Sequence, residues 1–447
     1  MSISKVLVAN RGEIAVRVIR TCRVLGIETV LAASDADKGS TGARLADQTV
    51  VIGPPPASTY LNIQAIIQAA KDTGAQALHP GYGFLSEKPE LAQACEDNGV
   101  IFIGPKAAHI QKMGNKLVAR EIARECGVPI LPGSDKVGSF EDLQRVVGEI
   151  GYPIMIKAAA GGGGRGMKIV TEENASALKR VFEEASAEAS AAFGDKTLYV
   201  ERYIANARHI EVQVLGDKHG SAVHLGERDC STQRRHQKLV EESPAPDITD
   251  ALRGEIHSAA LELVSSISYE NAGTVEFIYD GDAEKFYFLE MNTRLQVEHP
   301  VTEMVTGIDI VREQINIADG GKLSFKQSGV SFDGHAIECR INAEDPSADF
   351  RPTPGVISSW DMPQGPGVRV DTHCHHGYMA PIYYDSLIAK VIVHGDDREH
   401  ARMRMLCALD EFRVDGVSTT IPFLKKVLDT PEFKSGKVST RIIEFID

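Results

Sequence analysis

The first hundred residues alternate short apolar runs with stretches of helical periodicity. Short apolar runs bounded by turn residues are typical of buried strands, and apolar positions every three or four residues are typical of helices. This alternation predicts a parallel α/β sheet with both faces covered. The predicted elements are a strand at Lys5–Ala9, a helix at Glu13–Leu25 stopping at Gly26, a strand at Glu28–Ala33, a helix at Leu61–Asp72 closed by Gly74, and a strand at Ile101–Ile103.

The order of these elements is Rossmann-like, but the first turn reads Ala9-Asn10-Arg11-Gly12-Glu13. A dinucleotide site needs glycines in the pattern GxGxxG at this turn, so that the backbone can approach a pyrophosphate. No dinucleotide site is therefore expected here.

The next block predicts a small lid, in which two hairpin strands with a glycine-rich tip pack on two helices. A long helix and a glycine- and proline-containing linker precede it, and the Ser139-Phe-Glu-Asp142 capping box opens its first helix. The predicted elements are a helix at Pro105–Cys126, a linker at Gly127–Gly133, a helix from Ser139 to Glu149, strands at Ile154–Ala158 and Lys168–Val170 around the loop Gly161–Met167, a helix at Glu172–Phe193 with Thr171 as N-cap, and a strand at Leu198–Arg202.

Longer segments of alternating polarity follow, and alternation is typical of half-buried strands. The Asp280-Gly281-Asp282 turn predicts that the strands on either side of it, Thr274–Tyr279 and Lys285–Met291, form an antiparallel hairpin. The predicted strands are His209–Leu215, Ser221–Leu225, Thr274–Tyr279 and Lys285–Met291, and beyond about Asp333 come short strands, a turn-rich segment at Pro352–Gly367 and a helix at Asp396–Phe412. The chain is thus predicted to be a multidomain protein of α/β and α+β parts.

Composition narrows the class of protein. With 447 residues the chain suits two or three domains. Its net charge of −14 argues against broad binding to nucleic acid or anionic membranes. The seven cysteines lack CxxC spacing and are interpreted as reduced thiols. No apolar run reaches the ~20 residues of a membrane span, and a strand-like stretch at the very start leaves no room for a signal peptide, so a cytoplasmic location is expected.

The loop Gly161-Gly-Gly-Gly-Arg-Gly-Met167 lies between two predicted strands, which excludes a Walker loop because that loop opens a helix. Glycines at a hairpin tip allow backbone N–H groups to close over phosphates. Lys157, at the end of the preceding strand, adds a positive charge for phosphate oxygens. A flexible surface loop is the alternative interpretation.

The hairpin at Thr274–Arg294 places polar side chains on one face. Glu276 lies on one strand, and Glu290 and Asn292 lie two apart on the next, so they share a face. Two carboxylates and an amide offer the hard oxygen ligands that Mg²⁺ prefers. Arg294 is expected to continue this face and to steady a developing anion, and Glu298 to act as a base. A solvated charged hairpin is the alternative.

A basic cluster spans Glu227 to Glu242, and its density in an acidic chain favours handling of anions. A turn held by salt bridges is the alternative. Upstream, His209 and Glu211 share one face of a predicted strand. A lone histidine in that position is more often structural.

Several motifs occur in order along the chain, from residue 5 to about 420. They are Asn10-Arg-Gly-Glu-Ile-Ala15, His79-Pro-Gly-Tyr-Gly-Phe-Leu-Ser-Glu87, Lys157 with the glycine-rich loop, Arg228-Asp-Cys-Ser-Thr-Gln-Arg-Arg-His-Gln-Lys238, Glu290-Met-Asn-Thr-Arg-Leu-Gln-Val-Glu-His-Pro300 and Cys339-Arg-Ile-Asn-Ala-Glu-Asp345. In content and order these motifs resemble biotin carboxylase. The resemblance implies a Rossmann-like N-terminal domain at 1–115, an ATP-grasp domain at 116–333 whose mobile lid spans about 130–203, and a C-terminal biotin carboxylase domain at 334–447.

The resemblance also implies roles for individual side chains. The residues implied to contact ATP phosphates are Lys116, Lys157, Gly163, Gly164 and His236. Those implied to hold adenine and ribose are Glu201, the backbone from Arg202 to Ile204, His209 and Gln233. Those implied to bind Mg²⁺ or Mn²⁺ are Glu276, Glu290 and Asn292. Those implied to position bicarbonate are Lys238, Arg294, Gln296 and Val297, with Glu298 as its base, Arg340 steadying the biotin enolate and Tyr82 near the biotin pocket.

The implied reaction is ATP-dependent carboxylation of biotin by bicarbonate through carboxyphosphate, the first half-reaction of a carboxylase such as acetyl-CoA carboxylase. A closed lid would exclude water from the reactive intermediate. The implied partners are a biotin carboxyl carrier protein, carboxyltransferase subunits and a second copy in a homodimer. The chain lacks a Met-Lys-Met biotinylation tripeptide, so the carrier is expected to act in trans if the chain is a separate subunit; a piece of a longer protein from which the carrier has been removed is the alternative. Two rival functions are another ATP-grasp ligase that joins a carboxylate to an amine, and a nucleotide-binding regulatory subunit without turnover.

Two segments depart from the family pattern. Arg202 stands where members often have Lys, a change that keeps the positive charge. The segment 371–380 contains His373, Cys374, His375 and His376. These are too tightly spaced for tetrahedral metal ligation from one strand, so an exposed or partner-facing loop is expected, with a metal site as the alternative.

Overall fold

The N-terminal domain is built on a parallel sheet, as the sequence predicts. The structure, a computed structural model, describes residues 2–55, 57–159 and 167–446. In this sheet the strands lie in the order β3-β2-β1-β4-β5. The strands are β1 (Lys5–Val8), β2 (Glu28–Ser34), β3 (Gln48–Gly53), β4 (Ala77–His79) and β5 (Ile101–Phe102), and the helices are α1 (Gly12–Val24), α2 (Thr41–Leu45), α3 (Ile63–Thr73), α4 (Pro89–Asp97), α5 (Ala107–Gly114) and α6 (Lys116–Glu125).

The lid is a four-stranded sheet in the order β6-β9-β7-β8. It has an apolar core of its own, in which Leu143 of one helix and Ala185 of the other pack beside Ile156 and Val200. A separate core allows the lid to move as a unit. The elements are β6 (Gly133–Val137), α7 (Phe140–Ile150), β7 (Ile154–Ala158), β8 (Lys168–Val170), α8 (Leu178–Phe193) and β9 (Leu198–Arg202).

Long antiparallel strands follow the lid. Two of them, β13 and β14, form the predicted hairpin, and Phe277 and Phe288 on these strands lie in a shared core with the helix α9. The elements are β10 (Ala207–Gly216), β11 (Ala222–Arg234), β12 (Gln237–Ser243), α9 (Asp250–Ser266), β13 (Asn271–Asp280), β14 (Lys285–Asn292), α10 (His299–Thr306) and α11 (Ile310–Ala318).

The C-terminal region combines two long strands with short pairs and helices. The helices α12 and α13 pack over β15 and β22 in one large core. The elements are β15 (His335–Asn342), β16 (Glu344–Asp345), β17 (Arg351–Pro352), β18 (Gly355–Val356), β19 (Ser359–Asp361), β20 (Val368–Thr372), β21 (Met379–Ala380), β22 (Leu387–Gly395), α12 (Arg398–Glu411), β23 (Arg413–Asp415), α13 (Ile421–Asp429) and α14 (Pro431–Ser435).

One eight-stranded sheet joins the middle and C-terminal parts, with the order β14-β13-β10-β11-β12-β15-β22-β20. The two parts meet at the pairing of β12 with β15, where Val240 lies opposite Cys339. The sheet is therefore continuous across the predicted domain boundary between 333 and 334. The domain boundaries given above remain predictions.

Four local predictions were wrong. The predicted helix Pro105–Cys126 is two helices, because the side chain of Asn115 accepts hydrogen bonds from the first turn of α6 and so begins a new helix there. Thr171 is not an N-cap: its N–H donates to Asn174 Oδ1 (2.8 Å), and α8 begins only at Leu178. The strand β6 replaces the end of the predicted linker. The strand β11 continues to Arg234 because its polar side chains are buried against partners.

The helices among the described residues include none that is long and apolar enough to span a bilayer. The predicted cytoplasmic location stays a prediction.

The first testable prediction concerns the core under the β13–β14 hairpin. Phe277 is fully buried and meets Phe286 edge to face, with ring centroids 5.5 Å apart. Replacing it with alanine should lower the free energy of unfolding by about 3–5 kcal/mol, since it removes buried area and leaves a cavity. Urea denaturation measures this. The control Val24→Ala, at an 88% exposed position, should change stability by less than about 0.5 kcal/mol; equal losses in both variants would contradict the assignment of Phe277 to the core.

Candidate active site

A cleft of about 1290 Å³ opens between the N-terminal domain, the lid and the eight-stranded sheet. It collects all the predicted site residues that the structure describes, while Gly163 and Gly164 lie outside the described residues. The predicted residues that line it are Tyr82, Lys116, Lys157, Glu201, Arg202, Ile204, His209, Gln233, His236, Lys238, Glu276, Glu290, Asn292, Arg294, Gln296, Val297, Glu298 and Arg340.

The predicted metal ligands converge at the β13–β14 hairpin. Glu276 lies directly opposite Glu290 across the two strands. The Asn292 amide donates to Glu276 Oε1 (2.8 Å), which places the third predicted ligand against the first. Lys116 Nζ lies 3.3 Å from Glu290 Oε2. Two facing carboxylates and an amide form a set of oxygen donors that fits Mg²⁺ or Mn²⁺.

Lys238 joins three carboxylates. Its ammonium donates to Glu211 (2.6 Å), Glu276 (3.1 Å) and Glu298 (2.6 Å). Burial alone would lower the pKa of Lys238, but these carboxylates raise the pKa well above its usual value. Lys238 therefore stays a cation and screens the repulsion among the three acidic groups.

Glu298 is almost fully buried between cations. Burial raises the pKa of its carboxyl, but Lys238, Arg340 and Arg228 outweigh burial and hold the pKa well below the usual value. Arg340 Nη2 donates to Glu298 Oε2 (2.9 Å). The group is thus an ionised acceptor, as a base must be before it takes a proton.

Arg294 reaches the cleft by a different route from the predicted one. The strand β14 ends at Asn292, so Arg294 does not continue the strand face but lies in the following turn. There its guanidinium donates to Glu87 (2.8 Å), Asn292 Oδ1 (3.0 Å) and Gln296 Oε1 (2.6 Å). The segment that follows β14 therefore places both Arg294 and Glu298 in the lining of the cleft.

The cationic groups near the lid are held by Glu201. Lys157 Nζ donates to Glu201 Oε2 (2.6 Å), and Arg120 pairs with the other carboxylate oxygen. His209 Nε2 lies 3.0 Å from Glu276 Oε2. Burial alone would lower the pKa of His209, but the adjacent Glu276 carboxylate raises the pKa above its usual value. His209 is therefore part of the charged cleft rather than an isolated structural histidine.

The basic segment 227–242 forms two strands of the cleft floor and the hairpin between them, which contains Arg235 and His236. Its most buried member is Arg228, to which the sequence assigned no role. The guanidinium donates to Glu211 (2.5 Å), Gln213 (2.9 Å) and Thr302 (3.0 Å). Arg228 thus fixes Glu211 from beneath, and Glu211 in turn fixes Lys238. No local sequence pattern contains this arrangement, since Glu211 and Gln213 lie on β10 and Thr302 lies on α10.

The apolar walls of the cleft were also missed. Leu131, Met155, Ile169, Ile278 and Leu289 line it and offer surface for a flat ring system. Single apolar residues in strands look like ordinary core positions, so the sequence held no indication of this role.

The segment 371–380 is not an exposed loop throughout. His373 and Cys374 are buried, whereas His376 is exposed. The His373 ring lies over Gly12, where a Cβ would come within 3.8 Å, and it meets Tyr378 edge to face at 5.1 Å. Among the described residues, the clusters of three or more His, Cys, Asp or Glu side chains close enough to share a metal ion both contain Glu211, and neither includes a residue of this segment.

Comparison with known proteins agrees with this geometry. The family description "Biotin carboxylase, N-terminal domain" matches residues 2–110, "Carbamoyl-phosphate synthase L chain, ATP binding domain" matches 115–326, and "Biotin carboxylase C-terminal domain" matches 338–445. Biotin carboxylase 1 of Bacillus subtilis is 51% identical, over 100% of this chain and 99% of its own length. The biotin carboxylase of Haemophilus influenzae is 51% identical, over 99% of this chain and 98% of its own length.

Two solved structures share the whole architecture. The biotin carboxylase domain dimer of Hydrogenobacter thermophilus 2-oxoglutarate carboxylase, in complex with MgADP, ADP and bicarbonate, has a TM-score of 0.95 at 48% identity, covering 99% of this chain and 98% of that one. Campylobacter jejuni biotin carboxylase, in a βγ-ATP complex, has a TM-score of 0.95 at 45% identity and covers 99% of both chains. With matches of this extent, the chain belongs to the biotin carboxylase family of ATP-dependent ligases.

Proposed function

We propose that this protein carboxylates biotin with ATP and bicarbonate, giving N1-carboxybiotin, ADP and phosphate, as the first half-reaction of a carboxylase such as acetyl-CoA carboxylase. The observation that supports this most is the placement of Glu298 between Lys238 and Arg340, beside the facing carboxylates of Glu276 and Glu290. The residues proposed as base, anion site and metal site thus line one cleft.

ATP would lie between the lid and the eight-stranded sheet. The residues that would contact its phosphates are Lys116, Lys157 and His236, with Gly163 and Gly164 of the glycine-rich loop. Those that would hold adenine and ribose are Glu201, Arg202, Ile204, His209 and Gln233. Glu276, Glu290 and Asn292 would hold Mg²⁺ or Mn²⁺, which when bound neutralises phosphate charge.

Bicarbonate would bind beside Glu298, where Lys238, Arg294, Gln296 and the Val297 backbone line the cleft. The Glu298 carboxylate takes the bicarbonate proton, and a bicarbonate oxygen attacks the γ-phosphorus of ATP. The bond from this phosphorus to ADP breaks, so the products of the step are carboxyphosphate and ADP. The cations around Glu298 hold the anion that forms.

Carboxyphosphate then breaks at its C–O bond into CO₂ and phosphate. The phosphate takes the N1 proton of biotin, and N1 attacks CO₂ to form the new C–N bond. Negative charge develops on the ureido oxygen before this attack, and Arg340, aided by Arg294, would stabilise it. Tyr82, which lines the same cleft, would lie near the biotin ring.

The second prediction concerns substrates. ADP production by the purified protein should require bicarbonate and should rise on addition of free biotin, because carboxyphosphate is consumed by biotin. A coupled assay for ADP measures this. Another ATP-grasp ligase would share the metal carboxylates and the lid, but biotin would not stimulate it. The absence of stimulation by biotin would therefore contradict the proposal.

The third prediction concerns the base. Glu298→Gln should lower the rate of ADP production about 10²–10⁴-fold, because the amide cannot accept the bicarbonate proton. ATP binding, measured by calorimetry, should persist. The control Glu262→Gln, at an exposed position of α9, should retain the parent rate. An equally low rate in the parent protein and the Glu298 variant would favour a regulatory subunit without turnover.

The proposed partners are a biotin carboxyl carrier protein, carboxyltransferase subunits and a second copy of this chain. Support for the homodimer comes from the Hydrogenobacter thermophilus relative, whose structure is described as a dimer. The fourth prediction is a species of about twice the 48.5 kDa chain mass in light scattering at micromolar concentration. A monomer under these conditions would contradict the homodimer.

A further inference from the structure

Two carboxyl groups face each other beneath the cleft floor. Glu241 on β12 lies directly opposite Glu338 on β15, and both side chains are fully buried. Glu241 Oε1 accepts a hydrogen bond from Arg340 Nε (2.6 Å). Glu241 Oε2 and both carboxyl oxygens of Glu338 have no hydrogen-bond partner among the described residues. Buried polar oxygens without partners are costly, particularly when they are charged.

The surroundings supply too few cations for both groups to be ionised. Arg340 divides its guanidinium between Glu241 and Glu298. Lys390, on the neighbouring strand β22, directs its ammonium to Val297 O (2.7 Å) and Glu13 Oε1 (3.1 Å). Neither cation makes a hydrogen bond to Glu338 that would offset the desolvation of a carboxylate there.

An apolar layer covers this face of the sheet. Val301 and Val305 of α10 pack against Ala336 on β15 and Ile392 on β22, and Ile392 lies directly opposite Glu338. The pair is therefore buried between the sheet and the helix, where two adjacent carboxylates repel strongly.

The other titratable groups near this layer do not neutralise the pair. Glu298, before the first turn of α10, adds a further negative charge, and Lys238 of β12 is bonded to three other carboxylates. Burial, aided by nearby cations including Lys390, lowers the pKa of His299 well below its usual value, so this residue is neutral. Burial raises the pKa of Glu241 to about 7 and raises that of Glu338 well above its usual value.

We propose that Glu241 and Glu338 share one proton and act as positioning residues that keep Arg340 directed at the cleft. With the proton present, Glu241 and Glu338 together carry a single negative charge, and the guanidinium of Arg340 divides its hydrogen bonds between Glu241 and Glu298. Loss of the proton adds a second negative charge to the pair, which draws the guanidinium away from the cleft. This inference rests on the proposed role of Arg340 toward the biotin oxygen.

The sign of the pH dependence follows from this arrangement. Below the pKa of the pair the proton is bound, and Arg340 is positioned to stabilise the negative charge on the ureido oxygen of biotin. As the pH rises through that pKa, kcat/KM for biotin should fall by about tenfold per pH unit, as for the loss of one required proton. The value of kcat/KM for ATP should not follow the same fall, because the pair lies behind Arg340 and away from the nucleotide.

The fifth prediction uses Glu338→Gln, which has the shape of the protonated acid but cannot ionise. Over the alkaline interval in which the parent protein loses biotin kcat/KM, this variant should lose less than about twofold. Steady-state kinetics from pH 6 to 10, with free biotin varied, measures the difference. A parent profile without an alkaline fall in biotin kcat/KM, or a fall unchanged in the variant, overturns the proposal.

A matched variant and a measurement without substrate complete the test. Glu241→Gln also removes the shared proton but weakens the contact to Arg340, so it should lower biotin kcat/KM at every pH and lack the alkaline fall. If Glu338→Gln does not fold, this variant decides alone, and retention of the parent fall overturns the proposal.

Urea unfolding reports on the same proton without any substrate. Unfolded Glu338 ionises above its ordinary pKa while the folded group keeps its proton, so the stability of the parent protein falls as the pH rises between these two values. The Glu338→Gln variant lacks this fall, so its unfolding midpoint relative to the parent should rise with pH from 5 to 9. A constant difference overturns the shared proton. The result does not depend on whether biotin is the substrate.

Discussion

The ammonium of Lys238 makes the cleft possible. Glu211, Glu276 and Glu298 come from three different segments of the chain and meet in a buried space, where they would repel one another without a cation at their centre. Arg228 holds Glu211 from below and Arg340 holds Glu298 from the side. Glu276, a proposed metal ligand, and Glu298, the proposed base, can therefore stay ionised within reach of one another, and an arriving anion would meet cations that are already in place.

Because side chains alternate between the two faces of a strand, the shared face of the proposed metal ligands could be predicted from the sequence. Glu290 and Asn292 lie two apart, so they had to share a face, and the Asp280–Asp282 turn had to return that strand beside Glu276. The glycine-rich segment marked the lid in the same local way, although its tip lies outside the described residues. The resemblance to biotin carboxylase then implied roles for Lys238 and Arg340, whose proximity to Glu298 no local pattern contains.

Features that depend on distant partners could not be predicted. The basic segment that contains β11 was interpreted as handling anions, with a turn held by salt bridges as the alternative. The burial of Arg228 in a strand, where Glu211, Gln213 and Thr302 accept its hydrogen bonds, was not part of either interpretation. His373 and Cys374 suggested an exposed loop, yet they pack against Gly12 and Tyr378. In both cases the burial of polar side chains depends on partners far along the sequence, which no local pattern contains.

The continuous sheet connects the segments that carry Glu298, the proposed base, and Arg340, the arginine proposed to stabilise the biotin oxygen. Glu298 follows the hairpin at one end of the sheet, and Arg340 lies on β15 beyond the pairing of β12 with β15. The position of Arg340 relative to the β13–β14 hairpin is thus set by hydrogen-bonded strands, whereas the lid has a core of its own. The parts of the chain before and after residue 333 are therefore not independent structural units. If they were separated, β12 and β15 would each become an unpaired edge strand, and exposed edge strands promote aggregation.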